Sequence, residues 1–579
     1  MNIKSELKNP STRPRQPSIA ILLFLGALAF AIAIRMIGLG QLPLSDHEAT
    51  LGFQALHIFS SGAQNPTEQA LYQNLTGILF FLFGASNFTA RVIPAFFGGA
   101  LAFSPFLFRK RMGTRNAVIL SFILALEPCL LSFSRQADST VIALTLFAYA
   151  MGFILNDRFL AAGICTGMML LSGSTIWFGI IGVVLALLWK KLSDQGLKAP
   201  AHKAESWKVN RPGFVRLLIA LLVTYALISS VFFIRPSGMV GPVSDFLAFL
   251  KMWKFNYTSW PWSSLFMGIV LLVYELFLLI FGAIGLAVRK SQDKSLFGTM
   301  WRSLVVISVL TLLGPLLKPL NPSWFVAVFC YFASVGVGYI LRIPRKDRGP
   351  FFIKIFIDAV LLVFAWLNYL WLLSNFAAQA DQVTPRILAI FLSLAILAIL
   401  LVLYVLGWNW QISSLGLGWA VLIMVGIMTL SMARRAAGFG ENTTLEPYRS
   451  DANIADITPL ERTFSDLLFR NALIKKNQGI AVIGQPGDSL KWVLKEFGQT
   501  HYFEALPPNL SDAFVVTFGQ DEPILAASYT GQSFDWYAIP DWRNFTVLDW
   551  LKWASLQKGP VQYSEIIVWA RTDLFPTGP

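Results

Sequence analysis

The segment LSDHEATLG, residues 44–52, sets two carboxylates, Asp46 and Glu48, on either side of His47, directly after the first long apolar run. At a membrane surface a carboxylate can take the proton from an attacking hydroxyl, and guanidinium groups can neutralise charge that develops on a departing phosphate. Suitable cations stand near the ends of later apolar runs: Arg91, Arg135, Arg235 and Lys318. Arginine suits this work because its planar fork meets phosphate oxygens in two directions. Asp138 lies beside Arg135, and Glu275 lies well inside an apolar run, where an ionisable group is costly and marks a functional site by default.

Each of these residues also has a plainer role. Asp46 is placed to cap a helix beginning at His47, with Glu48 in its first turn. Arg91 and Arg135 can anchor span ends by snorkelling, and Arg135 and Asp138 have the spacing of a helical ion pair. His57 reads as an interfacial polar residue. A neutral, hydrogen-bonded Glu275 would hold two helices together. Farther on, KMWKFNYTSWPWSS alternates basic residues with Trp253, Tyr257, Trp260 and Trp262, which suit either sugar stacking or an interfacial belt.

The chain that must position these groups has 579 residues, 55% of them hydrophobic and 13% charged, with a mean hydropathy of +0.60. That balance belongs to an integral membrane protein. Continuous runs such as VLLVYELFLLIFGAIGLAV have helical length and lack the alternation of a membrane barrel. About thirteen spans are expected, at 18–38, 90–108, 116–133, 139–156, 159–173, 175–190, 215–234, 263–288, 303–317, 322–341, 352–374, 386–406 and 411–432. LYQNLTGILFFLFG, residues 71–84, is short for a span and reads as an interfacial helix.

The net charge of +14 is a topology signal and not a nucleic-acid footprint. Its clusters, FRKRMGTR, RKSQDK and RIPRKDR among them, fall in loops that face the cytoplasm when the N-terminus is inside. An odd number of spans then puts the C-terminus outside, with Arg434 and Arg435 as a mild exception to the positive-inside rule. The first apolar run reads as a retained anchor, and the absence of an organelle signal points to a prokaryotic cell membrane. Cys129, Cys165 and Cys330 lie in apolar segments without metal-ligand spacing. A divalent cation is compatible with the clustered carboxylates but is not required by them.

Residues 1–435 therefore read as a multi-span membrane domain and 436–579 as a soluble α/β domain, in which acidic residues outnumber basic ones. GIAVIG followed by QPGDSLKWVLKEFG has the pattern of strand, turn and amphipathic helix, and AFVVTFG and EIIVWA are further strands. GIAVIGQPGDS lacks both the Lys-Ser/Thr of a P-loop and the third glycine of a dinucleotide fingerprint, so a tight turn is the expectation.

The acidic motif after the first span, LFGASNFTARVIPAFFGG and LSFSRQADSTVIALTLFAYA together resemble the membrane glycosyltransferases of the GT-C fold, of the protein mannosyltransferase and aminoarabinose transferase type, with lipopolysaccharide-core galacturonosyltransferases among them. The resemblance covers roughly the first 190 residues; beyond them only the layout matches. It implies transfer of a sugar from a polyprenyl-phosphate donor to a glycan, lipid or protein acceptor on the outer side. Family members commonly carry adjacent Asp-Glu-Ala where this chain reads Asp46-His47-Glu48-Ala49. Glu48 matches the Glu and His47 takes the usual Asp position, so Asp46 or Glu48 is the base, or the chain binds lipid-linked sugar without turnover. A transporter or flippase is the reading from a different class, but it predicts two similar halves with broken helices at the midplane, which the sequence does not display.

Overall fold

In the computed structural model the described residues are 19–58, 69–196, 211–231, 233, 241–252, 260–288, 321–344, 347–375, 380–440, 443–449, 453–455, 457–470, 479–497, 499–507, 510–519 and 523–573. The helices up to the last apolar one are α1 Ile19–Met36, α2 Asp46–Leu56, α3 Ala70–Phe83, α4 Asn87–Leu101, α5 Pro105–Met112, α6 Thr114–Leu126, α7 Pro128–Ser134, α8 Thr140–Leu155 and α9 Phe159–Met169. They continue as α10 Ile176–Gly196, α11 Arg211–Ser229, α12 Gly241–Met252, α13 Trp260–Tyr274, α14 Leu276–Val288, α15 Ser323–Ile340, α16 Arg348–Asn375, α17 Val383–Gly407 and α18 Trp410–Ala436.

Seven helices among the described residues are long and apolar enough to cross a membrane, and two further helix pairs do so if each bent pair is one span. Large apolar side chains point outward from them, as Phe356 on α16 and Phe391 on α17 do at 70% and 68% exposure. Such faces are stable only against lipid. The chain is an α-helical multi-pass membrane protein with a small C-terminal α/β domain. The run at 71–84 forms α3, only 14 residues long, with Tyr72, Gln73 and Asn74 buried. The span expected at 303–317 lies outside the described residues.

Two expected single spans are broken. The segment expected at 116–133 bends by 56° between α6 and α7, where Pro128 follows Glu127 and denies the helix a donor. The segment expected at 263–288 bends by 84° between α13 and α14, at Glu275. Its second half then packs tightly on α15. A Cβ on Gly285 would run into Phe332 O, and one on Gly336 into Phe281 O, so the small residues set this close approach. The stretch after α11, read as a loop, contains α12, which buries Phe249 and sets Phe246 against Trp177 with ring centroids 4.6 Å apart.

Among the described residues the C-terminal domain has one six-stranded sheet in the order β1-β5-β6-β4-β2-β3, with β1 Asn453–Ile454, β2 Ile480–Ile483, β3 Thr500–Phe503, β4 Phe514–Phe518, β5 Tyr529–Pro540 and β6 Val561–Arg571. β2, β3 and β4 run parallel, while β6, β5 and β1 are added antiparallel. Its helices are α19 Thr458–Arg470, α20 Asp488–Leu494 and α21 Val547–Leu556. The three strands and the helix read from sequence are all present. β1, β3 and the long β5 are additional.

Among the described residues the domain docks on the membrane helices at two places. Trp492 of α20 packs over Gly52 and against Phe53 and Phe80, while its Nε1 donates to Asn87 Oδ1 at 2.9 Å. At the end of α18, Arg435 donates to the Ala554 and Ser555 carbonyls in the last turn of α21, at 3.4 and 2.9 Å. Those are orphan helix carbonyls, so a local partner accounts for a basic residue on this side. Asn87 opens the span 87–112, and Arg109, Lys110 and Arg111 stand at its far end. The sheet domain and this basic cluster are therefore at opposite ends of one span.

Candidate functional site

The acidic motif opens α2. Ser45, and not Asp46, is the N-cap: its hydroxyl accepts from Glu48 N, and the Glu48 carboxylate accepts from Ser45 N. This reciprocal capping box turns the chain sharply out of the first span. His47 is exposed, while Glu48 is only 5% exposed. Asp46 is the first residue of the helix and faces the sheet domain.

Glu48 is completely engaged. Oε1 accepts from Arg91 Nε at 2.8 Å and Ala137 N at 2.7 Å, and Oε2 accepts from Arg91 Nη2 at 2.7 Å and Ser45 N at 3.0 Å. Burial alone would raise this carboxyl, but the Arg91 charge and these hydrogen bonds outweigh it and hold it at about 2. Arg91, expected at a donor phosphate, instead makes five bonds, the other three to the carbonyls of Leu39, Leu42 and Pro43. Five is the number of N–H groups a guanidinium has. No donor is left over for a ligand.

Asp46 is engaged by the other domain. Oδ1 accepts from Ser489 N at 2.9 Å and Ser489 Oγ at 2.6 Å, and Oδ2 accepts from Tyr537 Oη at 2.7 Å. The turn GQPGDS thus meets an anion at the start of α20, and that anion is the chain's own Asp46. Gly487 makes the approach possible, since a Cβ there would strike both Asp46 Oδ1 and the Tyr537 hydroxyl. Thr50 Oγ1 adds a bond to Asp488 at 2.6 Å.

Beside the Glu48–Arg91 pair lies a cleft lined by Ser45, Glu48, Arg91, Arg135, Gln136 and Arg449. Arg135 Nη1 donates to the carbonyls of Ile34, Arg35 and Ile37 at the end of α1, at 3.1, 2.8 and 2.8 Å. Its Nε and Nη2 have no hydrogen-bond partner among the described residues. Arg449 is half-buried and makes no side-chain hydrogen bond among them. Burial, then the charges of Arg449 and Arg91, lower Arg135 to about 10; burial and then Arg91 lower Arg449. Both remain cations at neutral pH. With Glu48 already matched by Arg91, neither Arg135 nor Arg449 has an ion-pair partner among the described residues, although the charges of Glu446 and Glu48 act on Arg449.

The remaining expected residues distribute as follows. Asp138 does not pair with Arg135; it accepts from Ser139 N at 2.6 Å and Thr140 Oγ1 at 2.7 Å at the start of α8. Glu275 is buried at the α13–α14 break, away from the cleft, and accepts from Tyr448 Oη at 2.9 Å. Arg235, Lys318, Trp253 and Tyr257 lie outside the described residues, as do the side chains of Trp260 and Trp262.

Sequence reasoning missed the connector at 443–449. It folds back on the bundle: Tyr448 O accepts from Gln136 Nε2 at 2.8 Å, Trp553 Nε1 donates to Leu445 O, and Glu446 accepts from Tyr274 Oη at 2.7 Å. Burial raises Glu446 to about 7, against the pull of Tyr274 and Arg449. The only signal in the sequence was the charge-rich EPYR following Arg434 and Arg435.

No family model matches the chain, and no curated protein matches it. Among solved structures, it is similar over 97% of its length to ArnT from Cupriavidus metallidurans bound to undecaprenyl phosphate, all of which is covered, at 12% identity and a TM-score of 0.47. The apo state of the same protein gives a TM-score of 0.43 at the same identity and coverage. The Archaeoglobus fulgidus oligosaccharyltransferase is similar over 84% of this chain and 64% of its own, at 12% identity and a TM-score of 0.45.

Proposed function

We propose that the protein is a membrane glycosyltransferase that moves a sugar from a polyprenyl-phosphate donor to an acceptor hydroxyl on the outer side of the membrane. The observation that carries this reading is the cleft between bundle and sheet domain, where Arg135 and Arg449 present guanidinium groups with unused donors. An anionic head group at a helix-bundle surface suits them, and a lipid tail can then lie along the apolar helix faces. Placing the sheet domain outside keeps Arg109, Lys110 and Arg111 inside, in accord with the positive-inside rule.

In the reaction, the acceptor oxygen bonds to the anomeric carbon as the bond from that carbon to the phosphate oxygen breaks. The hydroxyl proton passes to a carboxylate, polyprenyl phosphate departs, and the anomeric centre inverts. Of the two carboxylates, Glu48 is matched by Arg91 and held at about 2, which makes it a weak base near neutral pH. We assign it to positioning Arg91 and the cleft wall. Asp46 is the base in this reading. Its neighbour Ser45 lines the cleft, and its partner Tyr537 pairs in the sheet with Ile454, another lining residue.

A second reading has one observation in its favour: both oxygens of Asp46 are already bonded to Ser489 and Tyr537. In that reading the chain binds lipid-linked sugar without turnover. Transfer of labelled sugar from a panel of polyprenyl-phosphate sugars by reconstituted protein separates the two. Turnover that collapses in Asp46→Asn while donor binding persists supports the enzyme. Binding without turnover in the parent supports the second reading, and neither binding nor turnover overturns both.

A further inference from the structure

We infer that Glu127, Cys129 and Glu275 form a binding site for a divalent cation of the zinc class inside the membrane domain.

One ligand atom from each of Glu127, Cys129 and Glu275 lies within 4.8 Å of the other two. All are buried: Glu127 is 2% exposed, Glu275 1%, and Cys129 and Cys330 are not exposed at all. The spacing of the cysteines in sequence does not suggest a zinc pattern. The fold nevertheless brings two of them, 129 and 330, into electrostatic contact with each other and with both carboxylates. No disulfide joins them. The two acids come from helix breaks that face one another, Glu127 between α6 and α7 and Glu275 between α13 and α14, while Cys330 comes from α15.

Glu275 supplies the independent observation. Its Oε1 accepts from Tyr448, but its buried Oε2 finds no donor among the described residues. The polar group beside it is the Glu127 carboxyl, whose oxygens accept from Cys129 N at 3.0 Å and Leu130 N at 2.6 Å, so the two acids can bond one another only by sharing a proton. Two buried acceptors that face each other need a proton or a cation between them, and the Cys129 sulfur within reach of both favours the cation. Two oxygens and thiol sulfur form a donor set that zinc accepts, and each Glu127 oxygen retains a second lone pair. The surroundings balance the charge. Two carboxylates and one thiolate against a divalent ion leave one negative charge, and buried Arg35, which interacts with Glu127, supplies the matching positive one. A tetrahedral ion would draw the ligand atoms to roughly 3.5 Å from one another, a contraction within reach of side-chain torsions.

The test is metal analysis of the full-length protein purified in detergent after growth with zinc. About one zinc per chain is expected, falling at least tenfold in Glu275→Gln and in Cys129→Ser. If either variant fails to fold, the parent is stripped with a chelator and loaded with Co2+, where a thiolate-to-cobalt charge-transfer band and recovery of the lost melting temperature are expected. A metal-free parent whose melting temperature ignores chelator and Co2+, with no such band, means that a proton bridges the two acids and overturns the site. Metal retained at full stoichiometry in both variants overturns it as well.

Discussion

Tyr537, in the long fifth strand of the sheet domain, donates its hydroxyl to Asp46 Oδ2 at 2.7 Å across 491 positions of sequence. With Ser489 on the other oxygen, Asp46 ties the first helix after the opening span to the farthest domain of the chain. The same contact raises the tyrosine, through burial first and the Asp46 bond second, to about 12, so it stays a donor throughout the physiological range. Any move of α20 away from α2 must therefore break the Ser489 bonds to Asp46.

Gly487→Ala tests that connection. The added Cβ meets Asp46 Oδ1 and the Tyr537 hydroxyl, and overpacking of this kind costs about 1–3 kcal/mol. The expected result is a lower melting temperature and faster hydrogen exchange in α20 and β5, with exchange in α16 and α17 unchanged. A uniform change over the whole chain would point to global loosening instead.

Glu48→Gln removes the charged partner of a guanidinium that is only 4% exposed. Breaking a buried pair in this way costs about 3–5 kcal/mol, so strong destabilisation is expected, and Arg91→Lys, which lacks the fork, should not rescue it. In the parent, the carboxyl is held below its ordinary 4.5 at about 2, so its contribution is complete above 4.5 and is lost as pH falls toward 2. That difference corresponds to about 3 kcal/mol. Acid unfolding curves of parent and Glu48→Gln, compared from pH 6 down to pH 2, should converge.

Glu446 predicts the opposite pH dependence in a different window. Its folded-state value, about 7, lies above the ordinary 4.5, so the folded connector holds its proton more tightly than the unfolded chain does. The stability it contributes is full below 4.5 and falls as pH rises to 7, by about 3 kcal/mol. Glu446→Gln keeps an acceptor for Tyr274 and removes the ionisation. Thermal unfolding of this variant should be flat between pH 5 and pH 8 where the parent weakens.

Much of this architecture is legible in the sequence because hydrophobic length and strand pattern are local properties. The apolar runs, the strand-turn-helix at 479–497 and the short α3 follow from composition and periodicity alone. The helix breaks at Glu127 and Glu275 are harder to see. Pro128 signals the first, whereas an isolated acid in an apolar run does not reveal the bend of the second. The site was only half legible. Glu48, Arg91 and Arg135 line one cleft, yet Asp46 turns to Ser489 and Tyr537, which like Arg449 come from beyond the last span, and no spacing rule connects residues 46 and 537. Arg449 lies in a connector whose return to the bundle depends on Glu446 and Tyr448 finding Tyr274 and Glu275.

The division of labour among the arginines yields the last prediction. Arg91 is fully bonded to the protein, while Arg135 and Arg449 retain donors that face the cleft. Substituting Arg449→Ala or Arg135→Lys should weaken binding of a polyprenyl phosphate about tenfold each, and Arg449→Ala, which removes the charge, should also flatten its salt dependence. Binding of the corresponding polyprenol, which has the tail without the phosphate, should not change. Measured in nanodiscs of neutral lipid, equal affinity of parent and Arg449→Ala for the phosphate would move the anion site out of this cleft. Equal losses for phosphate and alcohol would mean that the substitution had disturbed the bundle and not the head-group contact. Only a loss confined to the phosphate assigns these guanidinium groups to the ligand.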